Sequence, residues 1–193
     1  MALTTLDQHI ALVLIDLQRG IVGSPGTPLS GAEVLGNAVK LADAFHTADA
    51  PVVLVRVSFA PDFGDALPGR TEQSFSGGLP EGWDIIVDEL AGHPGDIRVT
   101  KHNWSAFHGT DLDVQLRRRG VTQIVLGGIS TSIGVESTAR AAYEHGYHIT
   151  IATDAITDSD ADAHRNSVER IFPRLSESGS TEEILALLAK TRG

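Results

Sequence analysis

Short apolar runs recur along the chain and are separated by amphipathic stretches. Runs without polar alternation are typical of strands that are buried on both faces, as in parallel sheets. Five runs of apolar or β-branched residues predict strands at residues 10–15, 52–57, 97–100, 124–126 and 148–153. A sixth strand would have to be weak, near residues 174–178, where composition does not show it.

Helices are predicted between these strands. Capping-box patterns place helix starts at residues 30–33, 110–113, 159–162 and 180–183. Helical spacing of apolar residues also predicts a short helix near residues 83–90 and a longer one from about Gly134 to His145. Glycine and proline predict loops at residues 19–29 and 58–82. Because strands and helices alternate, the predicted fold is α/β with a parallel sheet.

Composition bounds the class of protein without changing that fold. A chain of 193 residues without repeat or linker is expected to form one domain, residues 1–193. Its net charge of −10 argues against nucleic acid or an anionic membrane as a partner. With neither a signal pattern nor a long apolar run, a soluble cytoplasmic protein is expected. The chain has no cysteine, which excludes disulfides and thiol chemistry.

The most informative stretch is residues 124–140, I-V-L-G-G-I-S-T-S-I-G-V-E-S-T-A-R. It predicts a strand, a tight turn and the start of a helix. The first amides of a helix lack intrahelical partners and stabilise an anion or a developing oxyanion. In open α/β sheets, ligands bind at this edge, outside the carboxyl ends of the strands. Asp16 and Lys101 follow two other predicted strands, so they are expected to converge with the turn.

The turn G-I-S-T-S-I-G-V-E-S-T-A-R resembles the nucleophile turn of the isochorismatase-like hydrolase superfamily, usually G-[IV]-x-T-[NSG]-x-C-V-x-x-T-[AV]-x. V-L-I-D-L-Q and T-K-H-N-W-S-A-F-H-G-T-D-L resemble two further blocks of that family. The resemblance implies a three-layer, doubly wound (Rossmann-like), mostly parallel six-stranded sheet with helices on both faces. It also implies a catalytic set of Asp16, Lys101 and Gly134, the last at the position where most members carry the catalytic cysteine. Such a cysteine-less chain resembles the branch whose members hydrolyse a vinyl ether.

The resemblance also implies where a substrate would be bound. The backbone amides of Ser130 and Gly134 match the family's oxyanion hole, which is shaped by a cis peptide expected here at Ile129–Ser130. Arg19, Arg56 or Arg70 is expected to hold a substrate carboxylate, with Arg70 first because it lies in the long loop. Trp104 is expected to form the pocket wall, and Phe107 either the wall or the core. The candidates for substrate contact are Trp104, Phe107, Arg70 and Gln18.

No metal and no cofactor is expected from the sequence. The histidines show no ligand spacing, and residues 58–65 contain no histidine where nicotinamidase relatives hold zinc. A nucleophilic serine, Ser130 or Ser132, is an alternative to water, although the G-x-S-x-G pattern is absent.

The leading interpretation is hydrolysis of a small carboxylate-bearing vinyl ether, with Asp16 as acid and water as nucleophile. The family's Q-P-G-D-Q block is absent, and residues 67–70 resemble it only weakly, which argues against isochorismate itself as the substrate. Two alternatives stay open: a nicotinamidase-like amide hydrolase without a thiol, and a member that binds a small molecule without catalysis. A homo-oligomer, a dimer or higher, is implied by the resemblance and by the apolar Phe63, Phe75 and Trp83.

Overall fold

A six-stranded parallel sheet runs through the centre of the molecule, in the order β3-β2-β1-β4-β5-β6. The structure, a computed structural model, describes residues 3–67, 69–72 and 78–192; the predicted contact residue Phe75 lies outside them. The strand order reverses between β1 and β4, which is where a doubly wound sheet opens a crevice for ligands. The strands are β1 Ile10–Ile15, β2 Val52–Val57, β3 Ile97–Lys101, β4 Gln123–Ile129, β5 His148–Thr157 and β6 Glu177–Gly179.

Helices cover both faces of the sheet. They are α1 Arg19–Val22, α2 Gly31–Thr47, α3 Leu112–Arg118, α4 Glu136–Glu144, α5 Ala161–Asn166 and α6 Thr181–Arg192. Two π-helical turns, Thr131–Val135 and Ser167–Ile171, and a 3-10 turn, Phe172–Arg174, complete the helical segments of the described residues. None of the described helices is both long and apolar enough to cross a membrane.

Alternate residues of β1 enter two different cores. Leu12 and Leu14 pack in the core that contains α2 and α6, whereas Val13 and Ile15 pack in the core that contains α3 and α4. Every residue of β1 is buried, as the unbroken apolar run predicts. The three-layer, doubly wound fold is therefore confirmed.

The predicted short helix near residues 83–90 is wrong. The segment forms successive turns with short local hydrogen bonds, such as the one from the Leu90 amide to the Val87 carbonyl, while several of its other backbone groups bind residues 17–20. The amides of Arg19 and Gly20 donate to the carbonyls of Ile85 and Trp83. The first residues of the predicted loop at 19–29 are also different from the prediction, because they form the single helical turn α1.

Two of the four predicted capping boxes are present. Ser30 and Ser180 each exchange hydrogen bonds with the glutamate three positions later. At α5 the cap is Asp160, whose carboxylate accepts from two amides, and not Ser159. At α3 the helix begins one residue later than predicted, after Asp111.

β5 and β6 differ from their predicted limits. β5 runs to Thr157, four residues beyond the predicted end, because its pairing with β4 shifts register between Leu126 and Gly128 and then continues. β6 is the expected short strand, and it pairs with β5 from Glu177 to Gly179.

Candidate active site

Three strand ends meet at the carboxyl edge of the sheet. Asp16 directly follows β1, Lys101 is the last residue of β3, and Ser130 directly follows β4. The Lys101 Nζ atom lies 2.7 Å from Asp16 Oδ2, and both side chains are buried. Lys101 Nζ also donates to the carbonyl of Asn103. The structure therefore brings Asp16 and Lys101 into direct contact, at the edge that parallel strands predict.

Burial and the lysine act on Asp16 in opposite directions. Burial disfavours the carboxylate and raises the pKa of Asp16, while the Lys101 charge and hydrogen bond lower it; burial prevails, and the pKa is about 6. The Oδ1 atom is buried and has no hydrogen-bond partner among the described residues. A carboxyl group with this pKa gains and loses a proton near neutral pH, as a general acid or base must.

The turn after β4 has the backbone that the resemblance implies. The Ile129–Ser130 peptide is cis. Gly128 has φ +124°, and a Cβ atom there would lie 2.1 Å from the carbonyl oxygen of Ile15, so only glycine fits. The chain then enters the π-helical turn that leads into α4. This close approach of β4 to β1 holds Ser130 beside the Asp16 strand end.

Gly134 is not required by backbone conformation, because its φ lies outside the left-handed region. A Cβ atom at this position would lie 3.3 Å from Asp16 Oδ2 and 2.8 Å from the Cγ2 methyl of Ile15. The position that carries the thiol in most family members therefore faces the Asp16 carboxyl here, and Ile15 restricts what side chain it accepts.

A cavity of ≈ 980 Å³ opens over these residues. Asp16, Lys101, Ser130 and Gly134 all line it. Its wall includes Trp104, as expected, with 61% of that residue exposed. Further apolar wall residues are Ile21, Phe59, Phe63, Leu79, Trp83 and Ile133. The cavity is of the size that takes a small molecule, and its wall is largely apolar.

Three predicted substrate contacts do not line this cavity. Phe107 is a core residue that packs on Tyr147 and His145, so its ring is used for packing. Gln18 is fully buried, and its amide group binds both backbone groups of Val57 and a carbonyl of the 83–90 segment. Arg70 is exposed on the long loop, outside the cavity lining. These predictions of substrate contact are corrected accordingly.

Asp158 is a site residue that the sequence prediction missed. Its buried carboxylate accepts from the Ser132 amide at 2.6 Å and from the Ser159 amide at 2.8 Å. Its backbone exchanges hydrogen bonds with Thr27, and this pairing holds the 24–29 segment beside the cavity. The apolar residues Ala155 and Ile156 after Asp154 could have indicated this position in the sequence, because they continue β5 up to Thr157, next to Asp158.

A threonine–histidine contact lies behind the turn. Thr131 Oγ1 and His164 Nδ1 are 2.9 Å apart, and Thr131 is fully buried. Burial lowers the pKa of His164, and the nearby Asp158 charge opposes that change. This pair fixes the start of the π-helical turn, and sequence spacing gave no sign of it.

Basic groups are few in the described part of the cavity. They are Lys101, which pairs with Asp16, and His102, whose Nδ1 lies 2.7 Å from the carbonyl oxygen of Ser58. Arg19 and Arg56 pair with Asp88 and Asp84 and do not line it.

The fold brings together two histidines and an aspartate that show no ligand spacing in the sequence. Among residues 3–67, 69–72 and 78–192, His46, His93 and Asp96 place ligand atoms within 4.8 Å of one another. None of the three lines the cavity, so this cluster is separate from the Asp16 site.

Comparison with known proteins points to one family by sequence and by structure. The isochorismatase domain model matches residues 10–183. An uncharacterized isochorismatase family protein of Escherichia coli is 47% identical over 92% of this chain and 95% of its own. A ureidoacrylate amidohydrolase of Agrobacterium fabrum is 33% identical over 79% of this chain and 78% of its own. The structure of an isochorismatase family protein from Burkholderia thailandensis superposes with a TM-score of 0.92, at 45% identity, covering 96% of this chain and 98% of that one.

Proposed function

The chain belongs to the isochorismatase family, and from that membership we propose that it is a hydrolase that activates water in place of a thiol. The observation that carries the proposal is the buried Asp16–Lys101 pair facing Gly134 in a chain without cysteine. With no thiol to attack a substrate, the proton-transfer group beside the turn must act through water or a hydroxyl. Asp16, with a pKa of about 6, serves as that group.

The first proposed reaction is hydrolysis of a vinyl ether. The protonated Asp16 carboxyl gives its proton to the terminal vinyl carbon, and the adjacent carbon gains oxocarbenium character. Water adds to that carbon and returns a proton to the Asp16 carboxylate. The resulting hemiketal then collapses to a ketone and an alcohol. The nearby Lys101 ammonium orients the water or binds a substrate carboxylate, and the negative charge of Asp16 stabilises the cationic centre between the two proton transfers.

The charges of the cavity limit the substrate. Lys101 already pairs with Asp16, and His102 is the other basic group of the described lining. Asp158 and Glu72 add negative charge to the same lining. A substrate with two carboxylates would lack counter-charges there, so the site is better matched to a small, mainly apolar molecule with at most one carboxylate.

Amide hydrolysis is the second candidate, and the relatives that act on ureidoacrylate favour it. In this reaction the ionised Asp16 takes a proton from water, which attacks the carbonyl carbon. The amides of Ser130 and Gly134 bind the oxyanion, and the protonated Asp16 then protonates the leaving nitrogen. The two candidates need opposite protonation states of Asp16 in the free enzyme. A member that only binds a small molecule is the third candidate.

A substrate panel tests these candidates. Monocarboxylate and neutral vinyl ethers, ureido acids and simple amides are each assayed for turnover, and each is also tested as a ligand by thermal shift. We expect turnover of vinyl ethers in the wild type and none in Asp16→Asn. Turnover of ureido acids or amides alone would replace the first candidate with the second. Thermal shifts without any turnover would overturn the hydrolase proposal and favour a binding protein.

A further inference from the structure

A second cluster of chemically reactive side chains lies away from the cavity. His46 is in the last turn of α2, and His93 and Asp96 flank the turn that precedes β3. Asp96 Oδ1 lies 2.7 Å from His46 Nε2 and 3.3 Å from His93 Nδ1. The two imidazole rings stack with centroids 3.7 Å apart. Three potential metal ligands from two separate segments thus meet at one point.

The carboxylate of this cluster is left partly unsatisfied. The Asp96 side chain is only 2% exposed, and its Oδ2 atom is buried without a hydrogen-bond partner among the described residues. Leaving a buried carboxylate oxygen unpaired is costly, and such atoms are normally bound by water or a cation. A metal ion held by this carboxylate would remove that cost.

The positions of the histidines are compatible with a cation. His93 Nδ1 lies 3.3 Å from Asp96 Oδ1, and His46 Nε2 lies 2.7 Å from the same oxygen. The ligand atoms of the three residues all lie within 4.8 Å of one another, so one ion between them has three protein ligands. His46 is near the carboxyl end of α2, where the helix dipole also favours a cation.

The type of ligands indicates the type of metal. Two imidazoles and one carboxylate suit a borderline ion such as Zn²⁺, whereas Mg²⁺ and Ca²⁺ prefer oxygen ligands alone. Three protein ligands leave a position for water. His93 is 47% exposed, so an ion has a path to the cluster from solvent.

We propose that His46, His93 and Asp96 form a zinc site that fastens the end of α2 to the start of β3. The site is at the amino-terminal edge of the sheet, because α2 ends just before β2 begins and Asp96 directly precedes β3. The hydrolytic cavity is at the opposite, carboxyl edge. Zinc here acts on the stability of the fold and takes no part in the proposed hydrolysis.

Zinc titration of the chelator-treated protein tests the site. Calorimetry should show one Zn²⁺ bound per chain, and Mg²⁺ should show no binding. At a zinc concentration 100-fold above Kd, the melting temperature should rise by about 5–10 °C. His93→Ala should weaken binding at least about tenfold while the protein stays folded, because His93 is half-exposed. Asp96→Asn should weaken it as well.

His148→Ala is the matched control, since His148 is an exposed histidine outside the cluster. It should bind zinc as the wild type does. Absence of saturable zinc binding would overturn the proposal, and the cluster would then be an ion pair between His46 and Asp96. Equal affinity in wild type and His93→Ala would also overturn it, because the zinc would then be bound elsewhere.

Discussion

At the scale of single residues, the proposed chemistry depends on the proton of Asp16. Burial raises its pKa from the model-compound value of 3.8 to about 6 against the opposing effect of Lys101. At pH 7 roughly a tenth of the molecules then carry the proton. The same carboxyl is therefore an acid in a minority of molecules and a base in the majority, and the pH profile distinguishes the two proposed reactions.

The pH dependence of kcat/KM has an opposite sign for the two candidates. If Asp16 acts as the acid on a vinyl ether, activity is highest below pH 6 and falls about tenfold per pH unit above it. If the carboxylate acts as base on an amide, activity falls as the pH drops below 6. Stopped assays between pH 4.5 and 8.5 measure this profile. A flat profile across pH 6 would remove Asp16 from proton transfer.

Gly134 is the residue at which a change should be most informative. Gly134→Cys alone should lower the melting temperature, because its Cβ would lie 2.8 Å from Ile15 Cγ2. Adding Ile15→Leu removes that methyl with little change in volume and should restore part of the loss. In the double variant the thiol lies at a helix start near Lys101, where both lower its pKa, so it should react rapidly with iodoacetamide.

Gly36→Cys is the matched control for that experiment. Gly36 lies in α2, and an added Cβ meets no atom within 4 Å. This variant should fold normally and react at the rate of an exposed thiol. A double variant that reacts no faster than Gly36→Cys would mean that position 134 lacks the electrostatic setting proposed for it.

Sequence motifs predicted the positions of Asp16 and Lys101 better than those of the side chains around them. Asp16 and Lys101 were predictable, because each follows a strand within a block of recognisable length. Phe107 and Gln18 belong to the same blocks, but their roles depend on which way each side chain points after the strand ends. Phe107 points into the core, and the side chain of Gln18 binds the backbone of Val57. A linear motif encodes neither direction.

At the scale of elements, helix caps give a direct comparison of pattern and structure. Asp160→Ala should destabilise the protein by about 1 kcal/mol, because its carboxylate accepts from the amides of Asp162 and Ala163. Ser159→Ala should change stability by only a few tenths, although the sequence pattern had placed the cap there. Urea denaturation of both variants measures the difference. A larger loss in Ser159→Ala than in Asp160→Ala would contradict the observed cap.

Elements were predictable where their hydrogen bonds are local or their burial is complete. β1 and α2 follow from apolar pattern and capping, since the determining contacts are near in sequence or repeat regularly. The 83–90 segment is different, because residues 17–20 supply several of its backbone partners. β5 continues past Asp154 only because β4 changes register beside it. Such long-range partners cannot be read from one segment.

At the scale of the whole molecule, the exposed apolar residues around the cavity bear on assembly. Phe63, Leu67, Trp104 and Ile133 are large, exposed and at its rim. We expect a homodimer, as the family resemblance implies, because burying such residues is favourable. Light scattering should give twice the chain mass of 20.5 kDa at micromolar concentration. A mass of 20.5 kDa under those conditions would show a monomer, and these residues would then serve only as cavity wall.

The sheet separates the two sites proposed for this molecule. The cavity lies at the carboxyl ends of β1, β3 and β4, and the histidine cluster lies before β2 and β3. Chelation of zinc should therefore lower the melting temperature of the zinc-loaded protein without changing kcat at a temperature where it remains folded. If kcat falls in proportion to the zinc that is removed while the protein stays folded, the two sites are not independent.

The most direct test of the central claim is kcat/KM of Asp16→Asn on the best substrate of the panel. Asparagine keeps the shape of the side chain but cannot transfer the proton, so we predict a loss of at least about 100-fold with the fold retained. Asp88→Asn, which alters an exposed ion pair outside the cavity, should keep wild-type activity. A folded Asp16→Asn protein with activity within a few-fold of wild type would contradict the assignment of Asp16 as the group that replaces thiol chemistry.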